Sequence, residues 1–113
     1  MREDSYTLDV YTLLVYNNDV IRRFRDDEAR KIFEQIGSRK LPGNIQVAAL
    51  RKLNMIDAAS SLSELSSIPG NRFEALKGDR AGQYSIRIND QWRICFRWSD
   101  GNNAEDVEIV DYH

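Results

Sequence analysis

The stretch Trp92 to Trp98 carries the most usable chemistry in the chain, because Trp92, Ile94, Phe96 and Trp98 alternate with Arg93, Cys95 and Arg97. Period-two alternation puts Arg93 and Arg97 on one face of a strand, where neighbouring strands can bring Arg87 and Lys77 alongside. Such a face suits phosphate, since guanidinium forks bind its oxygens in pairs. The same pattern also fits a solvated sheet face whose arginines pair across strands with acids such as Asp106 and Glu108, and from the pattern alone both stay open. The carboxyl end adds proton chemistry. Asp111, Tyr112 and His113 place a carboxylate, a phenol and the chain's single imidazole side by side. An unperturbed histidine titrates near about 6.5, so it serves as either acid or base in a cell.

Other reactive types weigh less. Trp92 and Trp98 share the face of Ile94 and Phe96, which makes them core residues before stacking platforms. Cys95 is the one cysteine, and no neighbour in sequence lowers its pKa; it also excludes an internal disulfide and a cysteine-rich zinc site. With one histidine and no acidic run spaced as a calcium loop, neither a metal nor any other cofactor is expected.

Elements must hold these groups. The 113 residues, 42% of them hydrophobic, fit one compact domain. Ser5 to Tyr16 reads as a weak strand and Val20 to Phe24 as a short second one. Asp26 and Asp27 then open a helix through Ala29, Ile32, Phe33 and Ile36, with Gly37 as its stop. Pro42 to Asn44 opens a second helix, whose apolar stripe is Ile45, Ala48, Ala49, Leu53, Ile56 and Ala59, ending near Ser60. Leu62 and Leu65 continue the core through an irregular serine-rich connection. Four strands follow, Arg72 to Lys77, Gln83 to Ile88, Trp92 to Trp98 and Ala104 to Val110, as an antiparallel meander. The class is α+β, two N-terminal helices packed on one face of a curved antiparallel sheet.

The formal charge of −2 argues against a nucleic-acid partner only as an average. Residues 1–18 alone carry a net −2, so the rest is neutral, and residues 22–52 hold nine basic groups against four acids. Residues 72–97 hold six, Arg72, Lys77, Arg80, Arg87, Arg93 and Arg97, against three acids, whereas residues 99–113 hold five acids and no Lys or Arg. Near the N-terminus the longest apolar run is Leu13 to Tyr16, too short for a signal-peptide core of roughly 7–15 residues or a span of about 20. A cytoplasmic protein with no membrane partner is expected.

The segment from Glu74 through Leu76-Lys77-Gly78-Asp79-Arg80 and Trp92-Arg93-Ile94 to Trp98, closed by Asp106 to Val110 and Asp111-Tyr112-His113, resembles the HigB-type killer toxins of bacterial toxin–antitoxin modules, within the RelE/ParE superfamily. The resemblance runs from about residue 20, where Val20-Ile21-Arg22-Arg23-Phe24-Arg25 is similar to the family's usual start. It leaves residues 1–18 as an N-terminal extension and makes 19–113 one toxin domain. It implies a microbial-ribonuclease-like fold and cleavage of mRNA on the 70S ribosome. It also implies a HigA-like helix-turn-helix antitoxin, with operator DNA met only through the complex with that antitoxin. Carried over residue by residue, the catalytic set is Lys77, Arg93, Asp111, Tyr112 and His113, with Arg72, Arg80, Arg87 and Arg97 as RNA-binding neighbours. Some members have a histidine three positions before the motif lysine; here that position is Glu74, and other members also have an acid.

The chemistry suits that set. Metal-free RNA cleavage uses the substrate's own 2′-hydroxyl, so the protein must take its proton, stabilise the phosphate and protonate the leaving 5′-oxygen. Lys77 and Arg93 would hold the phosphate, His113 would act as acid or base, Asp111 would orient a partner or take the proton, and Tyr112 would stack or donate. Two alternatives belong to other classes: a gyrase-directed toxin of the ParE type, and a non-catalytic partner of a helix-turn-helix repressor.

Overall fold

The computed structural model describes residues 20–112. The strand read at Ser5 to Tyr16 and the terminal His113 lie outside them. Among the described residues no helix is long and apolar enough to cross a membrane.

Helix α1, Asp27–Phe33, starts where its cap chemistry says it should. The Asp26 carboxylate accepts from the Ala29 N–H at 2.8 Å, Asp27 and Glu28 occupy the first turn and Arg30 and Lys31 the last, each sign complementing the helix dipole. It stops earlier than Gly37. Gln35 takes a left-handed φ of +63°, its N–H bonds the Ile32 carbonyl at 3.0 Å, and the Ile36 N–H bonds the Lys31 carbonyl at 2.8 Å. This is a Schellman turn with glutamine where glycine is usual, and it turns Ile36 out of the stripe to 66% exposure.

Helix α2, Gly43–Ala58, buries Ile45, Ala49, Leu53 and Ile56 at spacings of three and four, as the stripe requires. The serine-rich connection contains a short helix that periodicity did not show, α3, Leu62–Ser66. Its signal is Ser61-Leu62-Ser63-Glu64: the Ser61 hydroxyl accepts from the Glu64 N–H at 3.1 Å, and the Glu64 carboxylate reaches back to the Ser60 N–H at 2.7 Å. A 3-10 turn, Pro69–Asn71, leads into the sheet.

The sheet has strands β1, Glu74–Ala75, β2, Gln83–Arg87, β3, Trp92–Ser99, and β4, Asn103–Asp111, in the order β1-β2-β3-β4 and antiparallel throughout. The first strand is shorter than Arg72 to Lys77. Arg72 is left-handed at φ +45°, and Lys77 already heads a 3-10 turn over Gly78–Arg80. One sheet face buries Ile86, Ile94, Phe96, Val107 and Ile109 together with Ile32 of α1 and Ile45, Leu53 and Ile56 of α2. The start of the described chain runs parallel to β4, bridging Ile21 to Ala104 and Phe24 to Val107 without a continuous ladder. A bulge interrupts it: the β3–β4 register shifts between Cys95 and Arg97, with Asp106 left-handed at φ +54°. The Asp57 carboxylate of α2 accepts from the N–H groups of Val20 and Ile21 at 3.0 and 2.9 Å, which fixes this segment to the helices.

Candidate functional site

The helices cover one face of the sheet, so the alternate residues Ser85, Arg93, Cys95, Arg97 and Glu108 define the other. Arg93 is not a solvated side chain there, since it is only 8% exposed. Its Nε donates to the Ser85 hydroxyl at 2.8 Å and its Nη2 donates to the carbonyls of Arg72 and, at 3.4 Å, Ser85. The guanidinium lies 5.4 Å from the centroid of the Tyr112 ring. Among the described residues Nη1 has no hydrogen-bond partner, so it is the edge Arg93 can offer a ligand.

The acceptor at Arg72 is itself positioned. Asn71 is fully buried, takes a hydrogen bond from the Lys52 ammonium at 2.6 Å and donates to the Leu65 carbonyl at 3.0 Å. That anchoring holds the next residue left-handed and aims its carbonyl at Arg93. Burial, with the charges of Arg51 and Arg87, lowers the Lys52 pKa.

Tyr112 closes the site from the chain end. Its N–H bonds the Gln91 carbonyl at 2.7 Å, and its phenol donates to Glu74 Oε1 at 3.4 Å. Burial first, then the charge and hydrogen bond of Glu74, raise the Tyr112 pKa, so the phenol is protonated at neutral pH. Glu74, Ala75, Leu76, Lys77 and Tyr112 line a cleft of about 460 Å³. Lys77 is exposed at its rim and makes no ion pair among the described residues. Gly78, at φ +63°, lets the chain turn immediately after that lysine.

The continuous arginine face that alternation suggests is divided by acids. Arg80 donates through Nη1 to Gln83 and to Glu108, both at 2.9 Å, and the bond to Glu108 raises its pKa. Arg97 faces Asp106 at 3.5 Å, and Arg87 pairs with Asp90. The bulge supplies the reason for the second pair, because it swings Asp106 to where it also meets Arg23 at 3.1 Å. Arg97 therefore pairs across strands, whereas Arg80 reaches Glu108 from the 3-10 turn. Asp111 also departs from the expected group. It stands opposite Trp92 in register, whereas Val110 stands opposite Arg93, so its side chain leaves β4 on the other face from the Arg93 guanidinium. Its carboxylate accepts from Gln91 Nε2 at 3.0 Å. Arg72 contributes its backbone carbonyl, with its side chain exposed. Cys95 is fully buried, and burial pushes its thiol pKa up, which removes it as a nucleophile.

Together the structure brings Lys77, Arg93 and Tyr112 around Glu74, and places Arg80, Arg87 and Arg97 in ion pairs beside them. Ser85 and Asn71 escaped sequence reasoning. Ser85 alternates with Tyr84 and Ile86 as any outward residue would, and only its register opposite Cys95 sets it beside Arg93. Among the described residues no group of His, Cys, Asp and Glu could hold a metal.

The fold matches solved structures of YoeB from Staphylococcus aureus. In a complex with YefM the match has a TM-score of 0.53 and 20% identity, covering 82% of this chain and 97% of that one. In a YoeB dimer it has a TM-score of 0.53 and 26% identity, covering 85% and 98%. The architecture is thus the α+β fold of RelE-like toxins. At the level of sequence the chain belongs to the HigB-like toxin family, the RelE-like toxins of type II toxin–antitoxin systems, whose family model matches residues 22–113. It is similar to Toxin HigB-1 of Vibrio cholerae serotype O1, 40% identical over 88 residues, or 78% of this chain and 85% of that protein. It is also similar to Endoribonuclease HigB of Proteus vulgaris, 30% identical over 94 residues, or 83% and 100%.

Proposed function

We propose that this toxin is a metal-independent endoribonuclease that cuts mRNA on the ribosome and is silenced by a helix-turn-helix antitoxin of the HigA type. The observation that carries the reading is the cleft lined by Lys77, Glu74 and the Tyr112 phenol, with the anchored Arg93 guanidinium against the Tyr112 ring. A relative named as an endoribonuclease supports the same chemistry.

In this reaction the RNA's 2′-oxygen attacks the adjacent phosphorus and the bond from phosphorus to the 5′-oxygen breaks, leaving a 2′,3′-cyclic phosphate and a 5′-hydroxyl. Arg93 Nη1 and the Lys77 ammonium neutralise the charge that grows on the phosphate oxygens. Arg93 costs little reorganisation, since Ser85 and the Arg72 carbonyl already hold its plane. The protonated Tyr112 suits proton donation to the leaving 5′-oxygen or stacking on a base. Glu74 sits within reach as a proton acceptor, and His113 supplies an acid or base at the chain end. Asp111, bonded to Gln91, steadies the strand end that carries Tyr112.

Growth on induction tests this directly. Lys77→Ala, Arg93→Ala and deletion of His113 are each expected to restore growth to cells expressing the protein. Arrest that persists unchanged in all three would overturn the assignment, and arrest of DNA replication ahead of translation would point to a gyrase-directed toxin.

A further inference from the structure

The carbonyl that receives Arg93 Nη2 is held in place from a helix that does not line the cleft. Lys52 flanks the buried stripe of α2, so its stem lies along the core while its ammonium reaches the 3-10 turn Pro69–Asn71. There it donates to Asn71 Oδ1 at 2.6 Å. Asn71, 0% exposed, is also engaged at its other two polar groups on this side of the turn: Nδ2 donates to the Leu65 carbonyl at 3.0 Å, and the backbone N–H donates to the Ile68 carbonyl at 3.0 Å. A side chain so fixed leaves the following residue little freedom.

Two unfavourable features show that this arrangement is not there for packing alone. The Lys52 ammonium makes no ion pair among the described residues; its charged neighbours are Arg51 and Arg87, and burial lowers its pKa. Charge pairing therefore does not account for its position. Arg72, next in the chain, holds a left-handed backbone at φ +45° and ψ +51°, which a residue with a Cβ resists. Its side chain is exposed and makes no hydrogen bond or ion pair among the described residues, so it does not stabilise that conformation. What the conformation achieves is to turn the Arg72 carbonyl onto Arg93 Nη2. From the other side Ser85 holds Nε at 2.8 Å and reaches Nη2 only through a long bond of 3.4 Å. The direction of Nη1, the edge open to a phosphate, is thus set chiefly by the Arg72 carbonyl.

We infer that Lys52 and Asn71 are positioning residues for Arg93: they fix the Arg72 carbonyl and, through it, point Arg93 Nη1 at the phosphate. The cleavage readout rests on the endoribonuclease reading, and a second readout does not. Lys52→Met keeps the stem and removes the donor. Single-turnover cleavage of ribosome-bound message should slow about tenfold at saturation, with the half-saturating ribosome concentration unchanged. In an Arg93→Lys background the same substitution should cost less than about twofold, because the fork it positions is already gone. The second readout is the Nε–H resonance of Arg93. Its exchange with water should become about tenfold faster or more in Lys52→Met, relative to the Ile94 amide of β3, which reports opening of the sheet as a whole. A variant that is merely less stable would speed both together. Should Lys52→Met not fold, Lys52→Gln, whose neutral end is too short to reach Asn71, is read the same way. A wild-type cleavage rate, equal losses in both backgrounds, or an Arg93 Nε–H that keeps its protection relative to Ile94 would each overturn the inference. A wild-type chain that leaves ribosome-bound message intact would instead remove the endoribonuclease reading, and the exchange of Arg93 would still decide the positioning.

Discussion

Arg93 lies between the Ser85 hydroxyl, the Arg72 carbonyl and the ring of Tyr112, and this placement makes its shape matter as much as its charge. Lysine keeps the charge but cannot reach both acceptors with one planar fork. Arg93→Lys is expected to reduce single-turnover cleavage by about 10²-fold or more and to lower stability by about 1–3 kcal/mol, measured in the same preparation by denaturant titration. Full activity would show that the fork is dispensable. Tyr112→Phe separates ring from proton. It keeps the ring over Arg93 and removes only a long, exposed bond to Glu74, so stability should change by less than about 1 kcal/mol. Cleavage should still fall about 10²–10⁴-fold if the phenol is the acid. Because the Tyr112 pKa is raised, its protonated form persists above the ordinary tyrosine range, and the cleavage rate should show no alkaline loss from this group below a pH of about 10. A wild-type rate for Tyr112→Phe would move the acid role to another group.

Elements decide which of these residues meet, and they were legible in unequal degree. The alternation from Trp92 to Trp98 was enough to define β3 and its two faces, because a half-buried strand repeats every two residues. The stripe of α2 was equally plain. What the pattern could not show is pairing: Arg93 and Arg97 look equivalent by alternation, yet one sinks against Ser85 and the other meets Asp106 at a bulge. Bulges and registers are set between strands, so no single strand's sequence contains them. The end of α1 failed for another reason, since Gln35 adopted the left-handed position that Gly37 was expected to fill. Helix α3 was overlooked because five residues are too few to show a period, although its Ser61 and Glu64 cap signal was present. The strain at Gln35 is testable. Gln35→Gly should stabilise the protein by about 0.5–1 kcal/mol, as relief of a left-handed side chain outweighs added unfolded-state entropy. A lower melting temperature would contradict the turn described here.

At the scale of the whole molecule the sheet separates two surfaces. One face carries the cleft of Glu74, Lys77 and Tyr112 with Arg93 beside it; the covered face carries the helices and their basic-rimmed groove. The average charge of −2 conceals that division, because acids of β4 pair with arginines of the sheet while Lys31, Arg39 and Lys40 border the groove on the helical side. Primer extension on message from induced cells tests the central claim most directly. The wild-type chain should produce discrete new 5′ ends within translated message, and Lys77→Ala should abolish them. Intact message in cells whose growth has nonetheless stopped would contradict it.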